Sequence, residues 1–129
     1  MKNPEIPISW GELIDKITII QIKLENLNSK SALENVEREY KQLHSIFLNI
    51  FLEIPGANKL MEDLKQINQK LWDIEDNIRV KEKTKTFDPE FIKLARSVYI
   101  TNDERSRIKR NINNLFGSEL IEEKSYAEY

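Results

Sequence analysis

Downstream of Asp88 and Pro89, a stripe recurs at Phe91, Leu94, Val98, Thr101, Arg105, Ile108, Ile112 and Leu115, in steps of three and four that never slip before Gly117. Steps averaging about 3.5 residues keep one helix face in line and match coiled-coil-like packing. Asp88 is a good N-cap, and Pro89 fits the first helical position, where no amide hydrogen is needed. Gly117 suits a stop. A stripe this long demands helix packing. Its one open point is YITND, where the helix either continues or breaks between Tyr99 and Asp103.

The same period recurs three times upstream. Ser9 and Glu12 form an S-x-x-E capping pattern ahead of Leu13, Ile17, Ile20, Leu24 and Leu27. A second stripe runs Leu33, Val36, Tyr40, Leu43, Phe47 and Ile50 until EIPGAN interrupts it, and a third runs Leu60, Leu64, Ile67, Leu71, Ile74 and Ile78. The reading is all-α: an antiparallel up-and-down four-helix bundle in one helical domain, 1–129. Its helices span roughly 10–28, 32–53, 58–83 and 89–116, with a tail at 117–129. That tail either lies along the bundle through Leu120, Ile121 and Tyr126 or frays.

Composition narrows the function classes. Charged residues make up 33% of the chain yet the net charge is only -2, so the signs are interspersed and a nucleic-acid partner is disfavoured. There are no cysteines and a single histidine, His44, expected at a helix surface or core edge; no disulfide framework or zinc site is expected. Carboxylate-held magnesium stays open. MKNPEIPISW lacks the apolar core of a signal peptide, and no stretch nears the ~20 apolar residues of a membrane span. A cytoplasmic protein without a membrane segment is the expectation.

Two helices depart from the bundle pattern. The first carries Ile14, Ile19 and Ile22 beside its main stripe, and so asks for cover on more than one side, from the tail or from a second copy. A homodimer or other protein partner through this helix is therefore expected. Asp15 shares that second face, where an unpaired carboxylate would be costly. In the fourth helix Thr101 and Arg105 interrupt the core stripe, and Asn102 and Lys109 follow beside it.

Counting outward from tight connections places Asp15 level with Arg105, and Glu12 near Lys109. A polar layer of Asp15, Lys16, Asn102, Arg105 and Lys109 results, beside an aromatic group of Tyr40, Trp72 and Tyr99, with Glu75 opposite Arg96. Glu75 and Arg79, four apart, form an ordinary helix pair. Arg105, Arg107, Lys109 and Arg110 adjoin Asp103 and Glu104 and read as a solvated face. The layer is either a buried pair fixing helix register or a pocket for a small anionic ligand. An enclosed cavity favours the pocket; a dry, fully paired layer favours structure, with function on the outer surface.

EIPISWGELIDKITIIQIKLENL, LWDIEDNIRVKE, FDPEFIKLARSVYITNDERSRIKRNIN and EEKSY together resemble a family of short bacterial and phage proteins of unknown function. The resemblance spans nearly the whole chain. It implies that Asp15, Lys16, Trp72, Glu75, Asp76, Arg79, Arg96, Tyr99, Asn102, Asp103 and Arg105 belong to a shared pattern, and it implies no activity. WGELIDKITIIQIKLENL is also similar to the first helix of all-helical chorismate mutases, which hold a dicarboxylate with basic side chains between helices. All-α nucleotide pyrophosphohydrolases hold magnesium with paired acids; the pairs on offer are Asp73 with Asp76 and Glu119 with Glu122. The leading expectation is a binding or interaction protein whose polar layer takes an anionic ligand or a partner segment. The alternative is an enzyme in which Arg105, Lys109 and Lys16 hold an anion while Asp15 or Glu75 moves a proton.

Overall fold

The computed structural model describes residues 1–48 and 53–129, and the backbone alone at 49–51. Ile50, on the second stripe, and residue 52, inside the expected second helix, lie outside the described residues. Among the described residues there are four helices and no strand: α1 (Trp10–Asn26), α2 (Lys30–Phe51), α3 (Ala57–Lys83) and α4 (Pro89–Phe116). They pack as an all-α bundle. The last helix continues unbroken through Tyr99–Asp103.

The punctuation acts largely as its chemistry dictates. The Asp88 side chain accepts from Phe91 N at 2.9 Å and is itself held by Lys81 Nζ at 2.9 Å. Gly117 takes the left-handed conformation, φ 65°, that ends α4. Ser9 caps α1 by accepting from Glu12 N at 3.1 Å. Glu12 does not complete the capping box, because its carboxylate is engaged by Lys109 instead.

α1 is the centre of the bundle. It packs on α2, α3 and α4 at once, which is why it is apolar over most of its circumference. Leu13, Ile14 and Ile17 join Phe47 of α2, Ala57 and Leu64 of α3 and Ile112 of α4 in one buried cluster. Burying each large aliphatic side chain contributes about 1.5–3 kcal/mol. Most of the second apolar face of α1 is thus covered within the chain, Ile14 and Ile22 being buried, while Ile19 stays partly exposed.

Ion pairs and polar contacts give the layout. Gly11, Glu12 and Asp15 meet Asn113, Lys109 and Arg105, so α1 runs antiparallel to α4 there. Asp15 and Glu25, ten residues apart, reach Asn68 and Lys65, only three apart. α1 therefore crosses α3 obliquely. Beyond that crossing α3 and α4 continue as a two-helix arm, in which no residue from Asn77 to Ile100 is buried. The stripe of α4 is enclosed mainly in its second half, and Leu115 at its end is exposed.

Candidate functional site

Asp15 is the centre of the polar layer and is 1% exposed. Its Oδ1 accepts from Arg105 Nε at 3.1 Å and from Asn68 Nδ2 at 2.8 Å, and its Oδ2 accepts from Arg105 Nη2 at 2.7 Å. Arg105 thus grips the carboxylate with two parallel bonds, the geometry a planar guanidinium favours. Its Nη1 donates to Asn102 Oδ1 at 3.3 Å. Asn68 Nδ2 also donates to Thr18 Oγ1 at 2.9 Å, and the Thr18 hydroxyl donates to the Asp15 carbonyl at 2.8 Å.

Lys109 extends the layer by one turn. Its Nζ donates to Glu12 Oε2 at 2.8 Å and to Glu122 Oε2 in the tail at 3.0 Å, and lies 3.6 Å from Asp15 Oδ2. Burial opposes the charged amine, but Glu12, Asp15 and Glu122 outweigh it and hold its pKa above the ordinary value. The hydrogen bond from Lys109 in turn holds Glu122 below the ordinary carboxylate value, against partial burial. Both shifts favour the charged forms. A proton-transferring group needs the opposite, a carboxylate raised or an amine lowered toward neutrality.

The start of α1 is fastened by the end of α4. Trp10 N donates to Ser118 Oγ at 2.9 Å and Gly11 N to Asn113 Oδ1 at 2.7 Å, satisfying amides that have no partner within a helix. A Cβ on Gly11 would stand 2.6 Å from the Lys109 carbonyl oxygen. Glycine is what allows α1 and α4 to approach closely enough for the Asp15–Arg105 contact.

Of the residues the sequence singled out, Asp15, Asn102, Arg105 and Lys109 come together. Lys16 does not: it points outward and pairs with Glu39 of α2 at 3.5 Å, since the next residue on a helix lies about 100° round. Glu75 pairs with Arg79 at 3.3 Å rather than with Arg96, which is exposed. The aromatic group does not assemble. Tyr40 stacks on His44 at 4.9 Å at the core edge, and Tyr99 packs edge-on against Tyr129 of the tail at 5.2 Å, while Trp72 is half-buried beside Arg105. Asn68 carried a signal in the sequence, an amide beside a core stripe; Thr18 and Gly11 carried none.

The tail lies along α4 through ion pairs and the Tyr129–Tyr99 contact rather than through the apolar residues expected to seat it. Besides Glu122, Glu123 pairs with Arg110 at 2.9 Å and the Tyr129 hydroxyl donates to Asp103. Leu120, Ile121 and Tyr126, the residues expected to seat it, are exposed. No group of three or more metal-ligating side chains converges among the described residues. Of the acids considered for magnesium, Asp73 accepts from Gln69 and Glu122 from Lys109. No described helix is long and apolar enough to cross a membrane.

Beside the layer a groove of about 390 Å³ opens to solvent where α1 crosses the α3–α4 pair. Ile19, Ile22, Leu71 and Trp72 form its apolar wall, Glu75, Asp76 and Arg79 its rim, and Arg105 links it to Asp15. No curated protein and no solved structure matches the chain. A family model does, over residues 4–129, and the chain belongs to that family, described as a family of unknown function (DUF6165).

Proposed function

We propose that this protein is an interaction module rather than a catalyst, and that its docking site is the groove between α1, α3 and α4. One observation carries the reading: the buried carboxylate of the polar layer is fully paired within the chain, whereas the groove beside it leaves Ile19, Leu71 and a half-buried Trp72 in reach of solvent. Asp15 accepts three hydrogen bonds, and Arg105 and Lys109 both lie against carboxylates. Such a layer fixes how α1 crosses α3 and α4, a use well attested for buried polar pairs in helical assemblies. An apolar cleft containing Trp and rimmed by charge is the usual anatomy of a docking site. The reading needs no metal or organic cofactor, and it fits a protein of the cytoplasm.

A small anion is the second reading, favoured by Arg105. Three of the five N–H donors of its guanidinium are engaged, leaving two for a carboxylate entering the groove. Random peptides selected on the protein, followed by amide and arginine Nε–H NMR, separate the two. The docking reading expects peptides that perturb Ile19, Leu71 and Trp72 and lose binding in Trp72→Ala. Peptides that map elsewhere would sink it. Carboxylates or phosphates that shift the Arg105 Nε–H and raise thermal stability would replace it with the anion site.

A further inference from the structure

The α3–α4 arm is an unfinished bundle. Two antiparallel helices cannot enclose the seam between them without a further layer. Ile78, Phe91, Leu94 and Val98 accordingly stay partly exposed, and Val80, Phe87 and Ile92 are each more than half exposed. At the tip Phe87 packs edge-on against Phe91 at 5.1 Å, making a small apolar knob. Charge is divided along the arm. Positions 80–96 hold five bases and three acids, whereas Asp73, Glu75 and Asp76 cluster at its base beside the groove, where Arg79 pairs with Glu75.

We infer that the groove's occupant is the arm tip of a second copy of this chain, an inference that rests on the docking reading above. Placed antiparallel about a twofold axis, each arm lays its basic tip over the acidic base of the other. Phe87 then faces the partly exposed Ile19, Leu71 and Trp72 of the groove, and Lys83 faces Asp76. From Trp72 to Lys83 is about 17 Å at 1.5 Å per residue, so a single arm reaches from groove to knob. A twofold arrangement uses the same patch on both copies and closes as a dimer instead of growing into a fibre. It adds the missing layer to the arm, turning two helices into four.

The full chain is examined by sedimentation equilibrium over a range of concentration and salt. The expected result is a dimer that weakens as salt screens the tip–base attraction. Lys83→Glu or Asp76→Lys, both at exposed positions, should each weaken it about tenfold, roughly 1.4 kcal/mol. Combining the two should restore it, and Phe87→Ser should weaken it without change in helix content. A chain monomeric at high micromolar concentration, or a dimer indifferent to all four variants, overturns the inference. Peptide selection still judges the groove by itself, so the two proposals fail separately.

Discussion

Arg105 binds Asp15 through both carboxylate oxygens, yet the two residues differ in access to water: the Arg105 side chain is 27% exposed and that of Asp15 only 2%. Removing either leaves the other unpaired, and the consequences are unequal. Arg105→Ala strands a carboxylate that cannot reach solvent, with only Asn68 and the more distant Lys109 to compensate. It is expected to cost about 3 kcal/mol. Asp15→Ala leaves a guanidinium that can swing into the groove, and should cost about half as much. Replacing both by leucine should recover most of the loss, because a buried ion pair contributes little net stability over an apolar pair. Urea denaturation of the three variants checks the order.

Gly11→Ala tests the fit of α1 against α4. In an isolated helix the exchange is favourable by about 1 kcal/mol. Here the added carbon meets the Lys109 backbone carbonyl at 2.6 Å, which cannot yield without moving α4, and the Asn113 side-chain oxygen at 2.9 Å. The expected outcome is a net loss of about 2 kcal/mol. Asn113→Ala, which frees the amide of Gly11, should cost about 1 kcal/mol, as loss of a helix cap does. Thermal unfolding distinguishes the two magnitudes.

Acid and base should both loosen the tail, by different groups. The pKa of Glu122 is depressed in the folded chain, so its contribution is present above its ordinary value of 4.5 and is lost as pH falls through the lower folded value. The pKa of Lys109 is raised, so its contribution is complete below its ordinary 10.5 and is lost as pH rises through the higher folded value. Between these limits the contact should not respond to pH. Amide exchange and NMR shifts of residues 119–129 should report release at the two extremes, and Glu122→Gln should loosen the same residues at neutral pH. A tail equally mobile at every pH would show that this ion pair does not hold it.

The contacts legible in the sequence were those governed by period and register. Counting residues from the connections placed Asp15 against Arg105 and Glu12 against Lys109, because α1 does run antiparallel to α4 at that end. The same counting failed for Lys16, Tyr99 and Arg96. A helix apolar over most of its circumference, as α1 is, does not disclose which neighbour each face meets, and its oblique path over α3 follows from packing rather than from spacing. Gly11 was silent for a related reason: its role is set by a carbonyl of α4 brought close only by the fold. The tail deceived in another way, since Leu120, Ile121 and Tyr126 suggested a seat that its glutamates and Tyr129 provide.

Thr101 gives the last prediction. It lies on the core stripe of α4, fully buried, and its hydroxyl has no hydrogen-bond partner among the described residues. A buried hydroxyl without a partner loses its hydration and recovers nothing for it, a cost of about 1–3 kcal/mol. Valine has nearly the same shape and places a methyl where the hydroxyl stands. β-branching is retained, so the rotamer restriction within the helix is unchanged. Thr101→Val is therefore expected to stabilise the protein by about 1 kcal/mol, raising the urea midpoint without altering the slope of the transition. A lower midpoint would mean that the hydroxyl is satisfied in solution, by water or by a group that moves to meet it.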